Sequence, residues 1–190
     1  MRPIHSGGAL EDEPLEPVGE YAQSCVGRER LLSYWSEKQG TPMLIFRLNY
    51  AIDLRYGVLY DIANAVMNQQ PVDRSIGYAN CIWQGDAAEC AIRSLLHCTT
   101  PPGILNVTGP ESISVTHIAS RFAKLLGIPA KFTGTPPDSS LFSNAGKMAQ
   151  LFGYPSISLN QMIEWTAEWI QSGGDVINAP THFEQRNGNF

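Results

Sequence analysis

The chain has 190 residues, 43% apolar and 16% charged, and 13 basic against 18 acidic side chains give a formal net charge of −5. That length and composition suit one domain with a core, or part of a larger one, and exclude a disordered chain. A nucleic-acid partner is excluded as well, because the densest basic run is the short "GRER" at 27–30 and no stripe is present to neutralise phosphates.

Residues 1–16 hold Gly7, Gly8, Pro3, Pro14 and the acids Glu11, Asp12, Glu13 and Glu16, and read as an extended surface loop. Pro17 opens a helix predicted to run to about residue 39, stopped by Gly40. Along it Tyr21, Cys25, Leu32 and Trp35 recur at three-, four- and seven-residue intervals, which puts them near one face. The apolar run 43–46 follows directly and predicts a strand buried on both sides of a parallel sheet. Residues 49–57 read as a polar loop, and 58–69 as a helix ended by Gln70-Pro71. A strand is predicted at 78–84, with Asp86 placed to cap a helix running to Cys98.

"GILNVTG", 103–109, predicts a second short buried strand. Ser114 caps a helix over 115–126, stopped by Gly127. A weaker strand over 130–134 precedes a loop with Pro136-Pro137 and a helix predicted over about 139–152. Ser158 and Gln161 make a capping box before a last amphipathic helix that ends at Gly173-Gly174, and the polar tail is expected on the surface. Trp165 and Trp169, four apart on that helix, are expected to pack.

Alternation of helix and strand argues for an α/β layer with parallel strands. A glycine-rich turn of the dinucleotide-binding kind occurs nowhere, and Gly7-Gly8 lacks both the strand before and the helix after. No apolar run reaches the roughly 18 residues that span a bilayer, and the first residues have no apolar segment of a secretory leader. Cys25, Cys81, Cys90 and Cys98 lack metal-ligand spacing and read as free thiols of a cytoplasmic protein; with His5, His97, His117 and His182 scattered, no metal site is expected.

Four stretches, "GEYAQSCVGRER", "MLIFRLNYAIDLRYGVL", "YANCIWQGDAAECAIRSLL" and "ILNVTGPESISVTHIASRFAKLLG", stand in an order and spacing that resembles the C-terminal half of an extended short-chain dehydrogenase/reductase, the NAD-dependent epimerase/dehydratase family. The resemblance covers about 6–127. It implies an α/β fold made of a partial Rossmann-like parallel sheet, the C-terminal strands, with a small and mostly helical substrate domain. Residues 1–60 would be the remnant of the NAD-binding domain. Residues 61–190 would be mainly the substrate-binding portion, with a returning Rossmann segment around 78–107. The cofactor implied is NAD or NADP, with binding by this chain alone in question. The partner implied is a small nucleotide-linked substrate, together with a homo-oligomer or pairing with the missing half.

In that family a tyrosine moves the proton, and a lysine four residues on lowers its pKa and holds the nicotinamide ribose. The resemblance puts Tyr21 at the tyrosine and Cys25 at the lysine. An unassisted tyrosine, pKa near 10, is ionised in about one molecule in a thousand at pH 7, a deficit of about 4 kcal/mol. A thiolate would raise the phenol further, and Arg28 lies about two turns, roughly 10 Å, along the helix. Cys25 itself, with no histidine or helix N-terminus to activate it, reads as a core thiol.

The resemblance also makes Asn49 and Tyr50 cofactor-side residues, and Asn49, Arg55 and Gln84 substrate-side residues. Arg55 has the bidentate chemistry for a phosphate, or is a solvated loop arginine. Trp83 is a base-stacking surface or core, and His117 and His182 have no role. Three readings result. The first is a fragment or short form of a nucleotide-sugar epimerase, dehydratase or related reductase, inactive alone. The second is a non-catalytic relative that binds a nucleotide-linked ligand or a protein. The third is a structural or interaction domain with an unrelated α/β fold, supported by the missing glycine motif, and it alone would be left if no parallel strands formed around 42–48 and 103–107.

Overall fold

The runs at 43–48 and 103–107, apolar apart from Arg47 and Asn106, pair in parallel, but the first is half-buried rather than buried on both sides, with Leu48 exposed. In the computed structural model, which describes residues 2, 3, 6–177, 179, 181 and 183, β2 (Leu44–Leu48) and β7 (Gly103–Val107) match Leu44 with Gly103 through Leu48 with Val107. This pairing leaves the first two readings standing. The chain order is β1 (Arg2–Pro3), α1 (Gly19–Gln39), β2, β3 (Ala51–Ile52), α2 (Val58–Met67), β4 (Pro71–Asp73), β5 (Tyr78–Ala79), β6 (Ile82–Trp83) and α3 (Gln84–Ser94). A 3-10 turn over Leu95–His97 follows, then β7, β8 (Ile113–Ser114), α4 (Val115–Leu126), β9 (Lys131–Thr133), β10 (Ser139–Ser140), α5 (Gly146–Phe152) and α6 (Leu159–Gln171).

Strand alternation decides which helix lies on which face. Leu44 and Phe46 pack with Ile82, Ala87, Cys90, Leu105, Val107 and Met148, so α3 and α5 cover that side. Arg47 points to the other side, where its guanidinium clamps Glu29 of α1 through Nε–Oε1 (3.0 Å) and Nη2–Oε2 (2.7 Å) and donates to the Glu11 carbonyl at 3.1 Å. Helix α1 therefore sits on a polar clamp rather than an apolar seat. Of its 21 residues the buried one is Ser36; Tyr21, Leu31, Leu32, Tyr34 and Trp35 are exposed, and Cys25, expected as a core thiol, is only half-buried because this face of α1 has no apolar layer over it.

The second core lies between α2, α4 and α6, where Ile62, Val66, Ile118, Phe122, Met162 and Ile163 are fully or almost fully buried. Removing a ring such as that of Phe122 costs about 3–5 kcal/mol. The caps are as expected for α4 and α6. Ser114 Oγ accepts from His117 N at 3.1 Å, and Ser158 and Gln161 form the full capping box. Short ladders tie the connections: β3 with β6 and β4 with β9 in parallel, β5 with β8 and β1 with β10 antiparallel.

Four expectations change. The helix over 139–152 begins only at Gly146, because Ser139–Ser140 pairs with β1 and Asn144 Oδ1 accepts from Gly146 N at 2.8 Å. The strand over 78–84 breaks in two at Asn80 and Cys81. Asp86 does not cap α3. It lies buried in the first turn and accepts from Ser156 Oγ (2.5 Å), Ser156 N (3.2 Å) and Ile157 N (3.1 Å), tying α3 to the segment before α6. Residues 1–16 are not all loose loop. Ala9 N donates to Phe142 O and Asn144 N to Ala9 O, and a side chain on Gly8 would fall 2.6 Å from the Ser143 backbone. His5, His182 and most of the polar tail lie outside the described residues.

Candidate functional site

Asn49 is the first residue beyond β2, and its N–H bonds Val107 O at 3.0 Å, extending the parallel ladder by one step. Its side-chain amide donates to Asn80 Oδ1 at 2.8 Å. Asn80, only 2% exposed, donates in turn to Ser143 O (2.7 Å) and Gly109 O (3.3 Å), while Thr108 Oγ1 donates to Asn80 O at 3.1 Å. The carboxyl ends of β2 and β7 are thus held by a satisfied amide network, the region where open α/β sheets receive ligands. Sequence reasoning passed over Asn80. The signal was present, since an asparagine inside an apolar strand run must be hydrogen-bonded when buried.

Tyr50 follows with φ of 42°, a left-handed backbone at a non-glycine residue, held by Ile82 N bonding to its carbonyl at 3.1 Å. Such a conformation costs on the order of 1 kcal/mol and turns the chain from β2 into β3. Gln84 begins α3 and is exposed. Asn49, Tyr50 and the segment 80–83 therefore run side by side, with Gln84 at the end of that segment.

Arg55 and Tyr21 are engaged by other groups. The Arg55 guanidinium binds both oxygens of Asp53 (2.9 and 3.0 Å), and its carbonyl accepts from Ile177 N. That hydrogen bond holds the Asp53 carboxyl below its ordinary value and raises Arg55. A phosphate would have to displace Asp53. The Tyr21 ring is 63% exposed on α1. Its phenol is pushed above its ordinary value, first by the charge of the Cys25 thiol, then by a hydrogen bond with that thiol and by partial burial, and Arg28 offsets part of this. Cys81 is buried beneath the site, and burial, with Glu111 adding, pushes its thiol up to about 12.

A dinucleotide needs a glycine-rich turn that opens a helix, with amides converging on the pyrophosphate. Gly8 uses its missing side chain to lie against Ser143, and among the described residues no such turn opens a helix. The residues present do not fit an NAD cradle. Nor do they form a metal site: no group of three or more metal-ligating side chains occurs among them. No helix there is long and apolar enough to cross a membrane.

No protein-family model matches the sequence, and no curated protein matches it. Solved structures do. UDP-glucuronic acid 4-epimerase from Bacillus cereus in complex with NAD superposes with a TM-score of 0.75 at 19% identity, over 88% of this chain and 57% of that one. dTDP-glucose 4,6-dehydratase from Bacillus anthracis str. Ames, in complex with NAD, gives 0.70 at 15% identity, over 90% and 60%. UDP-glucose 4-epimerase with UDP-glucose from Thermotoga maritima gives 0.68 at 13% identity, over 88% and 62%. This chain spans about three fifths of the length of these structures. Identity at that level speaks for the fold, and the fold is that of the C-terminal portion of an NAD-dependent epimerase or dehydratase of the extended short-chain dehydrogenase/reductase type.

Proposed function

We propose that this chain forms the substrate side of an NAD-dependent nucleotide-sugar epimerase or dehydratase, or a related reductase, and that it is inactive by itself. The observation that carries the reading is the fold likeness at a TM-score of 0.75, with the Asn49–Asn80 amide pair at the carboxyl ends of the parallel strands. On this reading residues 1–60 belong with the dinucleotide-binding layer, residues 61–190 mainly bind substrate, and 78–107 returns a strand to the first layer. Asn49 and Gln84 meet the nucleotide-linked substrate, Arg55 takes a phosphate once released from Asp53, and Asn49 with Tyr50 lies beside the nicotinamide. Tyr21 is the proton-transfer group. NAD or NADP needs amides that the described residues lack, so a further α/β half must hold it.

The bare edge of β2 supports such pairing. On one side of the sheet Tyr21, Leu32 and Trp35 of α1 are exposed. On the other, Ala88, Ala91, Ile92 and Leu95 form an exposed stripe at helical spacing on α3. The same surfaces suit a homo-oligomer. Free thiols at Cys81 and Cys90 support a cytoplasmic setting.

The thiol beside Tyr21 favours a second reading, a non-catalytic relative that binds a nucleotide-linked ligand or a protein. Thermal unfolding of the chain with UDP-glucose and with NAD tests the ligand site that both readings share. Stabilisation by the nucleotide sugar with no response to NAD is expected on both. Turnover recovered when Cys25→Lys is introduced into a version carrying a dinucleotide-binding half supports the first. No stabilisation by any nucleotide sugar removes the first and leaves the second only as a protein-binding relative.

A further inference from the structure

A recess of about 500 Å³, which the proposed function does not use, lies where the end of α6 meets the loop after β3. It is walled by Leu54, Trp165, Glu168, Trp169 and Ser172. The two indoles stand one turn apart with Glu168 between them, and both are held. Trp169 Nε1 donates to Asp175 O at 2.9 Å, and the Gly174 backbone lies against the ring, where a Cβ would fall 2.2 Å from Cε2. Trp165 meets Trp83 edge-on, centroids 5.5 Å apart at 73°. The faces of these rings are therefore fixed before any ligand arrives, which lowers the ordering cost of binding.

The charge of the wall has one sign. Glu168 is its charged member and makes no ion pair among the described residues. Arg55, in the loop that carries Leu54, is committed to both oxygens of Asp53 and has Asp175 beside it. Two of the wall's donors are spent: the Trp169 N–H is used on Asp175, and Ser172 Oγ donates to Trp169 O at 3.0 Å. The Glu168 carboxylate opposes a phosphate here. Two π faces and a carboxylate match a cation, since an aromatic face attracts positive charge and a carboxylate neutralises it.

We propose that this recess binds a small organic ammonium ion, held against Trp165 and Trp169 and paired with Glu168. The probe is tetramethylammonium chloride, titrated into the chain at constant ionic strength and read by tryptophan fluorescence, with Trp35→Phe removing the distant indole on α1. Neopentyl alcohol, a neutral body of similar shape, is the comparison. The expected result is a saturable response in the millimolar range with the cation and none with the alcohol. Glu168→Gln weakens it about tenfold while leaving the unfolding midpoint unchanged, as befits an exposed side chain. An equal response to the alcohol, an unchanged affinity in Glu168→Gln, or no saturation overturns the proposal.

Discussion

A phenol that moves protons near neutral pH needs a cation close by, and Tyr21 has a thiol there instead, with Arg28 as partial compensation. Its ionisation, isolated as the difference in tyrosinate absorbance against Tyr21→Phe, is expected above pH 10 in the native chain. Cys25→Lys is expected to bring it below 10, and an unmoved titration would show that the two side chains do not communicate. Cys81 answers to a different cause. Its thiol is raised by burial from 9.0 to about 12, so the unfolded chain loses this proton first as pH climbs. The unfolded state then binds fewer protons than the folded one, and stability that is complete below about pH 9 drains away toward pH 12. Iodoacetamide at pH 8, followed by mass spectrometry, should label the partly exposed Cys25 and Cys98 and spare Cys81. Asn80 makes three side-chain hydrogen bonds at the strand ends. Asn80→Leu strands those partners and is expected to cost about 2–4 kcal/mol by denaturant unfolding.

Among the elements, α1 is held differently from the rest. Its tie is Arg47 to Glu29, a bidentate pair with both side chains 19% exposed. Arg47→Met keeps the length of the side chain and removes the clamp. A loss of about 1–3 kcal/mol is expected, with early proteolytic cleavage in 19–39, and cleavage unchanged from the parent would place the tie elsewhere. This helix was easy to read because Pro17 and Gly40 bracket it, and α4 and α6 because Ser114 and Ser158 cap them. The two parallel strands were readable from short runs that are apolar apart from Arg47 and Asn106. What escaped was long-range. Ser139 and Ser140 carry no local preference that announces pairing with residues 2 and 3. Asp86 has the chemistry of a cap, and only the fold brings Ser156 and Ile157 within its reach. Site residues were readable where they follow a strand, as Asn49 does. Asp53, two residues before Arg55, is near enough in sequence for a local ion pair, and it takes the guanidinium that a phosphate would need.

For the molecule as a whole, the two rims of the β2–β7 pair differ. The β7 rim is closed, since Glu11 Oε1 accepts from Asn106 N at 3.0 Å and Lys147 Nζ donates to Ile104 O at 2.6 Å. Across the sheet, β2 has no neighbour on its second side among the described residues. Self-association through that side is expected, and Ile92→Glu or Leu95→Glu should shift the chain toward monomer in sedimentation velocity. A chain that sediments as a monomer before any substitution would mean the stripe on α3 does not associate. The difference between rims also limits how far assembly goes. Two copies that meet through β2 have each used the open border of this strand pair, so growth through it terminates at a closed pair instead of propagating into a fibre. Lys147 and Glu11 act as a stopper, and removing both by Lys147→Ala and Glu11→Ala would give each molecule a second sticky margin and convert pairs into polymers.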